Sequence, residues 1–365
     1  MRLSGRERFL VALANQKPDR LPCQIYRWSD FQQQELSDAA QYAAYARIGM
    51  EPVIYCAPRF SYTETAQTNW QLRRRKVTPA PGCGRQWSET VTTPDGKLVC
   101  RYAADEISVQ VTEPLLKTEA DFELWNKHVP VPAAVDWSPV INVKQRIEED
   151  GIVRGRYFDF GQGSPWQSFC TLFGVSEAQR LAAEKRDWVH QALESMLRKK
   201  LRVIEIGNSI DLDIVETGGA CAGSLTPEFY REFCLPYDKR QHAALKSAGT
   251  KSVYHIRGPI LNLLDLLAQS GAQGLEPLTP KELGGDCDLA AARAHLGERT
   301  AILGGLDARR VFQSNARETA AQTVRELHRS LPAGGYICAA AEEYLRGPDD
   351  ELKAFGETVK TCTYY

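Results

Sequence analysis

The 365-residue sequence contains no apolar run long enough to cross a bilayer, which excludes a helical membrane span. It has no excess of charge of either sign, since 45 Lys and Arg against 46 Asp and Glu leave a formal net charge of −1. Without a strong field nothing recruits nucleic acid or an anionic membrane. No C-x-x-C pair occurs among the ten cysteines. Scattered singly, they read as reduced thiols rather than a disulfide framework, and the expected location is cytoplasmic. No G-x-G-x-x-G follows the first expected strand and no G-x-x-x-x-G-K-[ST] occurs anywhere, so nucleotide-binding loops give no support to an open doubly wound sheet. Internal repeats and low-complexity tracts are also missing.

What is present is a globular profile, 43% hydrophobic and 25% charged, with length for one large domain or two ordinary ones. The amino terminus is too charged and too periodic for a secretory leader. Ser4 and Glu7 instead form a capping box for a helix carrying Phe9, Leu10 and Leu13. The densest basic run, Arg73-Arg74-Arg75-Lys76, reads as a solvated face of a surface segment.

Eight short runs with strand character recur along the chain, at 21–26, 51–56, 151–160, 211–216, 252–254, 274–276, 300–304 and 335–339. Helical spacing separates them, for example at 31–48, 176–202, 316–331 and 349–362. Two helices are expected between 165 and 202, and Val129-Pro-Val-Pro reads as a linker. Residues 59–111 break the pattern with Thr- and Val-rich alternation around Pro94-Asp95-Gly96, a hairpin signal. The expectation is a (β/α)8 TIM barrel in a single domain spanning 1–365, with an antiparallel insertion after strand 2.

The most informative stretch is Lys251 to Pro277, read as strand, turn, helix and strand, with Pro259 starting the helix. In a barrel the residues just past each strand share one mouth. Those are Asp159, Glu216, His255 and Arg257, Glu276, Asp307, and Cys338 or Glu342. His255 can bind zinc or act as acid or base near neutral pH, or serve as a hydrogen-bonded structural residue. Glu276 and Glu216 are candidate proton-transfer groups or metal ligands beside it, with a salt bridge to Arg257 as the rival role. Arg257 reads as a carboxylate fork or a brace. Asp159, Asp307 and Glu342 complete the candidate substrate-binding set, although Asp307 could simply cap the next helix. Cys338, with aliphatic neighbours, reads as a strand filler, and Asp286 and Asp288 read as helix starters.

At these residues the chain resembles the uroporphyrinogen decarboxylase-like superfamily. The likeness runs through S-G-R-E-R-F-L-V-A-L and K-P-D-R-L-P near the start, and L-T-P-E-F-Y-R-E-F-C-L-P-Y at Leu225 to Tyr237. It continues through V-Y-H-I-R-G, G-L-E-P-L-T-P, I-L-G-G-L-D and G-G-Y-I-C-A-A. The resemblance implies a TIM-type barrel. The R-Q-A-G-R-Y segment with which the haem-pathway decarboxylase grips carboxylates is replaced by Ile25-Tyr-Arg-Trp-Ser-Asp. The hairpin insertion and G-L-E-P-L-T-P look more like the cobamide-dependent methyltransferase and O-demethylase branch.

In the coenzyme M enzymes of that branch an H-x-C and a later cysteine hold zinc. Here His255 matches the histidine, Arg257 stands at the first cysteine and the second falls at about Glu342. A guanidinium cannot ligate zinc. What the resemblance leaves is an oxygen-and-nitrogen zinc site at His255, Glu276 and Glu216, or no metal. No D-x-H-x-x-G corrinoid signature occurs, so the resemblance implies that cobalamin arrives on a separate corrinoid protein. The expected function is methyl transfer from a small methylated substrate, such as a methyl ether, to that partner. The alternatives are decarboxylation of a polycarboxylate held by Arg257 with Arg27 or Arg59, and a non-catalytic ligand-binding barrel.

Overall fold

The computed structural model describes residues 2–24, 37–78, 84–104, 109–155, 157, 163–207, 209–219, 225–311, 317–341 and 349–365. Its strands are β1 (Cys23–Gln24), β2 (Val53–Tyr55), β3 (Arg59–Ser61), β4 (Gln71–Val77), β5 (Arg85–Thr93), β6 (Gly96–Ala104), β7 (Val109–Glu113), β8 (Ala134–Asp136), β9 (Ile152–Gly155), β10 (Ile214–Gly218), β11 (Lys251–His255), β12 (Gly274–Leu278), β13 (Ala301–Leu306) and β14 (Tyr336–Ala340). Eight of them form one parallel sheet in the order β1-β14-β13-β12-β11-β10-β9-β2. Neighbours in space are neighbours in barrel order, so the sheet curls into a nearly closed (β/α)8 TIM barrel, as the strand–helix alternation requires.

The crossover helices follow the expected order, among them Asp38–Ile48, Ser138–Ile147, Arg186–Gly207, Leu235–Ser247, Leu289–Leu296, Arg317–Ser330 and Asp349–Thr361. Ser4 caps the first helix, Gly5–Leu13, in the expected capping box with Glu7. Thr226 caps Pro227–Phe233 and Asp288 caps Leu289–Leu296. Phe9, Leu13, Ile54, Val153, Val215, Val253, Leu303 and Ile337 are buried in the common core. At the amino ends of the strands Asp213 accepts from Arg6 at 2.8 Å and from the Val153 backbone at 2.9 Å. That carboxylate ties the first helix to β9. No described helix is long and apolar enough to cross a membrane.

The insertion is a four-stranded antiparallel sheet, β4-β5-β6-β7. Its central turn is the expected one, with Thr93 Oγ1 accepting from the Gly96 N–H at 3.2 Å. Leu124 of the helix Glu119–His128 packs against Gly96, which seats this end of the sheet on the barrel.

Several boundaries differ from the sequence reading. The stretch after Val129 is not only a linker: β8 pairs antiparallel with β3 and leads into Ser138–Ile147. Three helices, Pro165–Phe173, Val175–Glu184 and Arg186–Gly207, replace the two expected. Pro259 does not start its helix, because Ile260 has a non-helical φ of −130° and the first turn is Leu261–Leu263. Asp286 fixes that start by accepting from the backbone N–H groups of Ile260 and Leu261 at 2.9 and 3.0 Å. The described part of the third expected strand ends at Gly155, and Asp159 lies outside the described residues, as do Arg27 and Glu342.

Candidate active site

Strand alternation sorts the candidates. Thr217 and Tyr254 point outward, since they bond His242 and Asp238 of the helix Leu235–Ser247. Their chain neighbours Glu216 and His255 therefore face the barrel interior. Register puts Gly218, His255 and Glu276 level on three adjacent strands. His255 and Glu276 thus share the inner face, on strands about 4.8 Å apart, and both are buried.

The interior is organised by a residue the sequence reading passed over. Arg154 of β9 is completely buried. Its Nη1 donates to Glu276 Oε2 at 2.9 Å and to Gln24 Oε1 at 3.2 Å, and its Nη2 donates to Glu216 Oε2 at 3.4 Å and to Glu276 Oε1. The guanidinium stands 5.1 Å from the ring centre of Tyr55 on β2. Five barrel strands thereby contribute to one polar cluster. Arg257 is not the partner of these carboxylates. It is exposed beyond β11 and bridges the mouth by donating from Nη2 to the Ala341 carbonyl at 2.9 Å. The correction has a geometric cause, because Arg154 shares the inner face with the acids while Arg257 follows the end of its strand. A lone Arg inside an apolar strand was the available signal.

Two carboxylates around one guanidinium carry an excess negative charge in a dry interior, which is costly. Burial pushes the Glu276 carboxyl above its ordinary value, against the pull of Arg154 and with the help of Glu216. Glu276 thus binds a proton more readily than an exposed carboxyl would. Burial also pushes the Tyr55 phenol well up. Tyr55 Oη and Arg154 Nε are buried without a hydrogen-bond partner among the described residues.

This donor set does not fit zinc. Both oxygens of Glu276 and Oε2 of Glu216 are engaged by a fixed cation, and no group of three His, Cys, Asp or Glu among the described residues is disposed to hold a metal. The three expected ligands, His255, Glu276 and Glu216, face the same interior, where the two acids are bonded to Arg154.

The rim holds His255 through its backbone. The Gly219 N–H donates to the His255 carbonyl at 2.9 Å. Gly218 adopts φ +91°, and a Cβ there would lie 2.6 Å from that carbonyl oxygen. Behind the wall, Asp238 accepts from Tyr230 at 3.1 Å and Tyr254 at 2.9 Å, and burial raises it to about 7. His242 donates from Nδ1 to the Ser270 carbonyl at 2.8 Å, leaving Nε2 to accept from Thr217 at 3.0 Å, and burial lowers it to about 4. Asp307 directly precedes the helix Ala308–Val311, and its carbonyl accepts from Val311 at 3.1 Å. Cys338 is buried, its thiol pushed up to about 12 by burial, as befits a filler. Arg59 is spent on Asp136 at 3.6 Å.

A parallel barrel with an ionisable cluster inside it and a titratable residue at its carboxyl-terminal mouth defines the class: a TIM-barrel enzyme scaffold. A model of the family "Uroporphyrinogen decarboxylase (URO-D)" matches residues 107–362, and the chain belongs to that family. A uroporphyrinogen decarboxylase of Microcystis aeruginosa is 26% identical over 181 residues, 48% of this chain and 49% of that protein. The chain therefore spans about half the length of that relative. One from Legionella pneumophila is 24% identical over 311 residues, 82% of this chain and 80% of its own. Among solved structures, a methyltransferase from Methanosarcina mazei superposes with a TM-score of 0.68 at 14% identity, covering 98% of this chain and 99% of that one. That similarity is one of fold.

Proposed function

We propose that the chain transfers a methyl group from a small methylated substrate, such as a methyl ether, to a corrinoid carried by a separate protein. The observation that carries this reading is the buried carboxyl pair Glu216 and Glu276 around Arg154, on the inner face that His255 shares. When the methyl–oxygen bond breaks, the departing oxygen takes the bonding electrons and needs a proton to leave well. A carboxylic acid kept neutral by burial can supply it. In this scheme Arg154 orients the acid, Glu276 holds the proton, and His255 passes it toward the mouth. Arg257 meets an anionic group of the substrate at the rim. The corrinoid, when docked, supplies the methyl acceptor.

A second reading, decarboxylation of a polycarboxylate, is favoured by the exposed Arg257 at the mouth and by the names of the relatives. Two assays separate them. Methyl ethers with a corrinoid protein and reductant test for methyl transfer, and carbon dioxide release from polycarboxylates tests for decarboxylation. Release of carbon dioxide without methyl transfer would replace the first reading by the second. A third reading, a non-catalytic ligand-binding barrel, predicts neither activity.

A further inference from the structure

The basic run of the insertion sits where a chain can be added. All seven residues of β4, Gln71-Leu-Arg-Arg-Arg-Lys-Val, are exposed, and among the described residues the strand pairs only with β5. Its outer edge therefore presents unpaired backbone donors and acceptors. Four consecutive cations occupy it, Arg73 and Arg75 on one face and Arg74 and Lys76 on the other. Only Arg74 is neutralised, by Glu89 at 2.7 Å, and it lies 5.5 Å from the Trp87 ring centre. Arg73, Arg75 and Lys76 have no acidic partner among the described residues. Leu72 and Val77 are exposed on opposite faces of the same strand.

We propose that β4 is a docking edge for an acidic, extended segment of another protein, which adds to the sheet as a fifth strand. Backbone hydrogen bonds would supply the affinity, and consecutive carboxylates opposite the cations would supply the selection. A lone edge lysine serves to repel strands; four adjoining cations in an otherwise neutral chain instead specify the sign of what may pair.

A second copy of this chain does not fit. Two β4 edges would set cation against cation. The opposite edge, β7, offers a single acid, Glu113, already paired with Arg101 at 2.9 Å and Lys117 at 3.0 Å. The acidic run Glu148-Glu149-Asp150 follows a helix, with Glu148 at φ +46°, and Asp349-Asp350-Glu351 begins one. Single-stranded nucleic acid is disfavoured because the aromatic faces are spent: Trp87 stacks on Tyr102 at 5.1 Å, with Arg74 beside it.

The test uses the full chain and a labelled synthetic peptide with a run of glutamates flanked by valine and threonine. Binding is read by fluorescence anisotropy and amide hydrogen exchange. Expected are salt-sensitive binding, slowed exchange confined to residues 71–77, and a loss of about tenfold or more in Arg73→Glu/Arg75→Glu. Arg73→Lys/Arg75→Lys should bind like the parent, and circular dichroism should show both variants folded. Equal binding by the charge-reversed variant, binding without amide protection, or tighter binding of an RNA oligonucleotide or anionic vesicles would each overturn the proposal.

Discussion

Arg154 on β9 and Glu276 on β12 meet in the barrel interior, Nη1 to Oε2 at 2.9 Å, and neither side chain has any exposure to water. Their strands are separated by β10 and β11, and the acid on β10, Glu216, joins the same guanidinium. The arrangement is stable only as a unit. Each charge was costly to bury, and each is repaid by the others.

Removing the cation alone should be the most damaging change in the interior. Arg154→Met leaves two facing carboxyls without a counter-charge and should cost about 3–5 kcal/mol in urea denaturation at neutral pH. Glu276→Gln removes one acceptor of the guanidinium but leaves Glu216 as its counter-charge, so its cost should be smaller, near 1–2 kcal/mol. Arg154→Met combined with Glu216→Gln and Glu276→Gln should recover most of the loss. If Arg154→Met alone proved nearly neutral, the ion-paired interior would not exist in solution.

The barrel was legible because its signals are periodic and local: β/α alternation, caps at Ser4, Thr226 and Asp288, and the turn at Pro94-Asp95-Gly96. His255 and Glu276 were legible as well, since both stand at or near strand ends in a recognisable stretch. Arg154 was not, because its role depends on residues 62 and 122 positions away, and no local pattern encodes such a meeting. Gln24 and Tyr55 escaped for the same reason. The helix after His255 was misplaced by trusting Pro259, when a carboxylate from Asp286 decides where its first turn begins. The basic run at Arg73 was legible as exposed, but its position on a sheet edge required the strand order, in which β4 pairs with β5 alone among the described residues.

The outer wall carries two opposed pH dependences. Folded Asp238 sits at about 7, above its ordinary 3.8, so between those values the native state holds a proton the unfolded chain has released. Its contribution to stability is full below about pH 4 and is lost as pH rises to about 7. His242 sits at about 4, below its ordinary 6.5, so its contribution is full above 6.5 and is lost as pH falls toward 4. The two slopes cancel over most of the range. Asp238→Asn should therefore unmask acid lability, and His242→Gln should unmask stability that declines as pH rises from about 4 to 7. Urea midpoints across that range give the slopes, each near 1.4 kcal/mol per pH unit at most. Parallel pH profiles for both variants and the parent would contradict the buried placements.

Gly218→Ala should test how rigidly the mouth holds His255. The new Cβ would meet the His255 carbonyl oxygen at 2.6 Å and its nitrogen at 2.8 Å, at φ +91°. Gly258 offers a matched control, with φ +90° and nothing within 4 Å of an added Cβ. Both substitutions pay the conformational penalty of about 1–2 kcal/mol. Only Gly218→Ala pays the clash, so it should be clearly less stable than Gly258→Ala. Equal losses would mean that β10 and β11 part easily at this point.

His255→Ala separates proton transfer from metal chemistry at the mouth. If His255 relays a proton from Glu276, the variant should lose about 10²–10⁴-fold in turnover. Glu276→Gln should lose turnover as well, because an amide holds no transferable proton at that position. Metal content is the independent measurement. With Glu216 and Glu276 committed to Arg154, protein purified without added zinc should carry the same metal content before and after His255→Ala. Stoichiometric zinc in the parent that disappears in the variant would make His255 a ligand. The acid–base role assigned to it would then have to give way to Lewis-acid assistance.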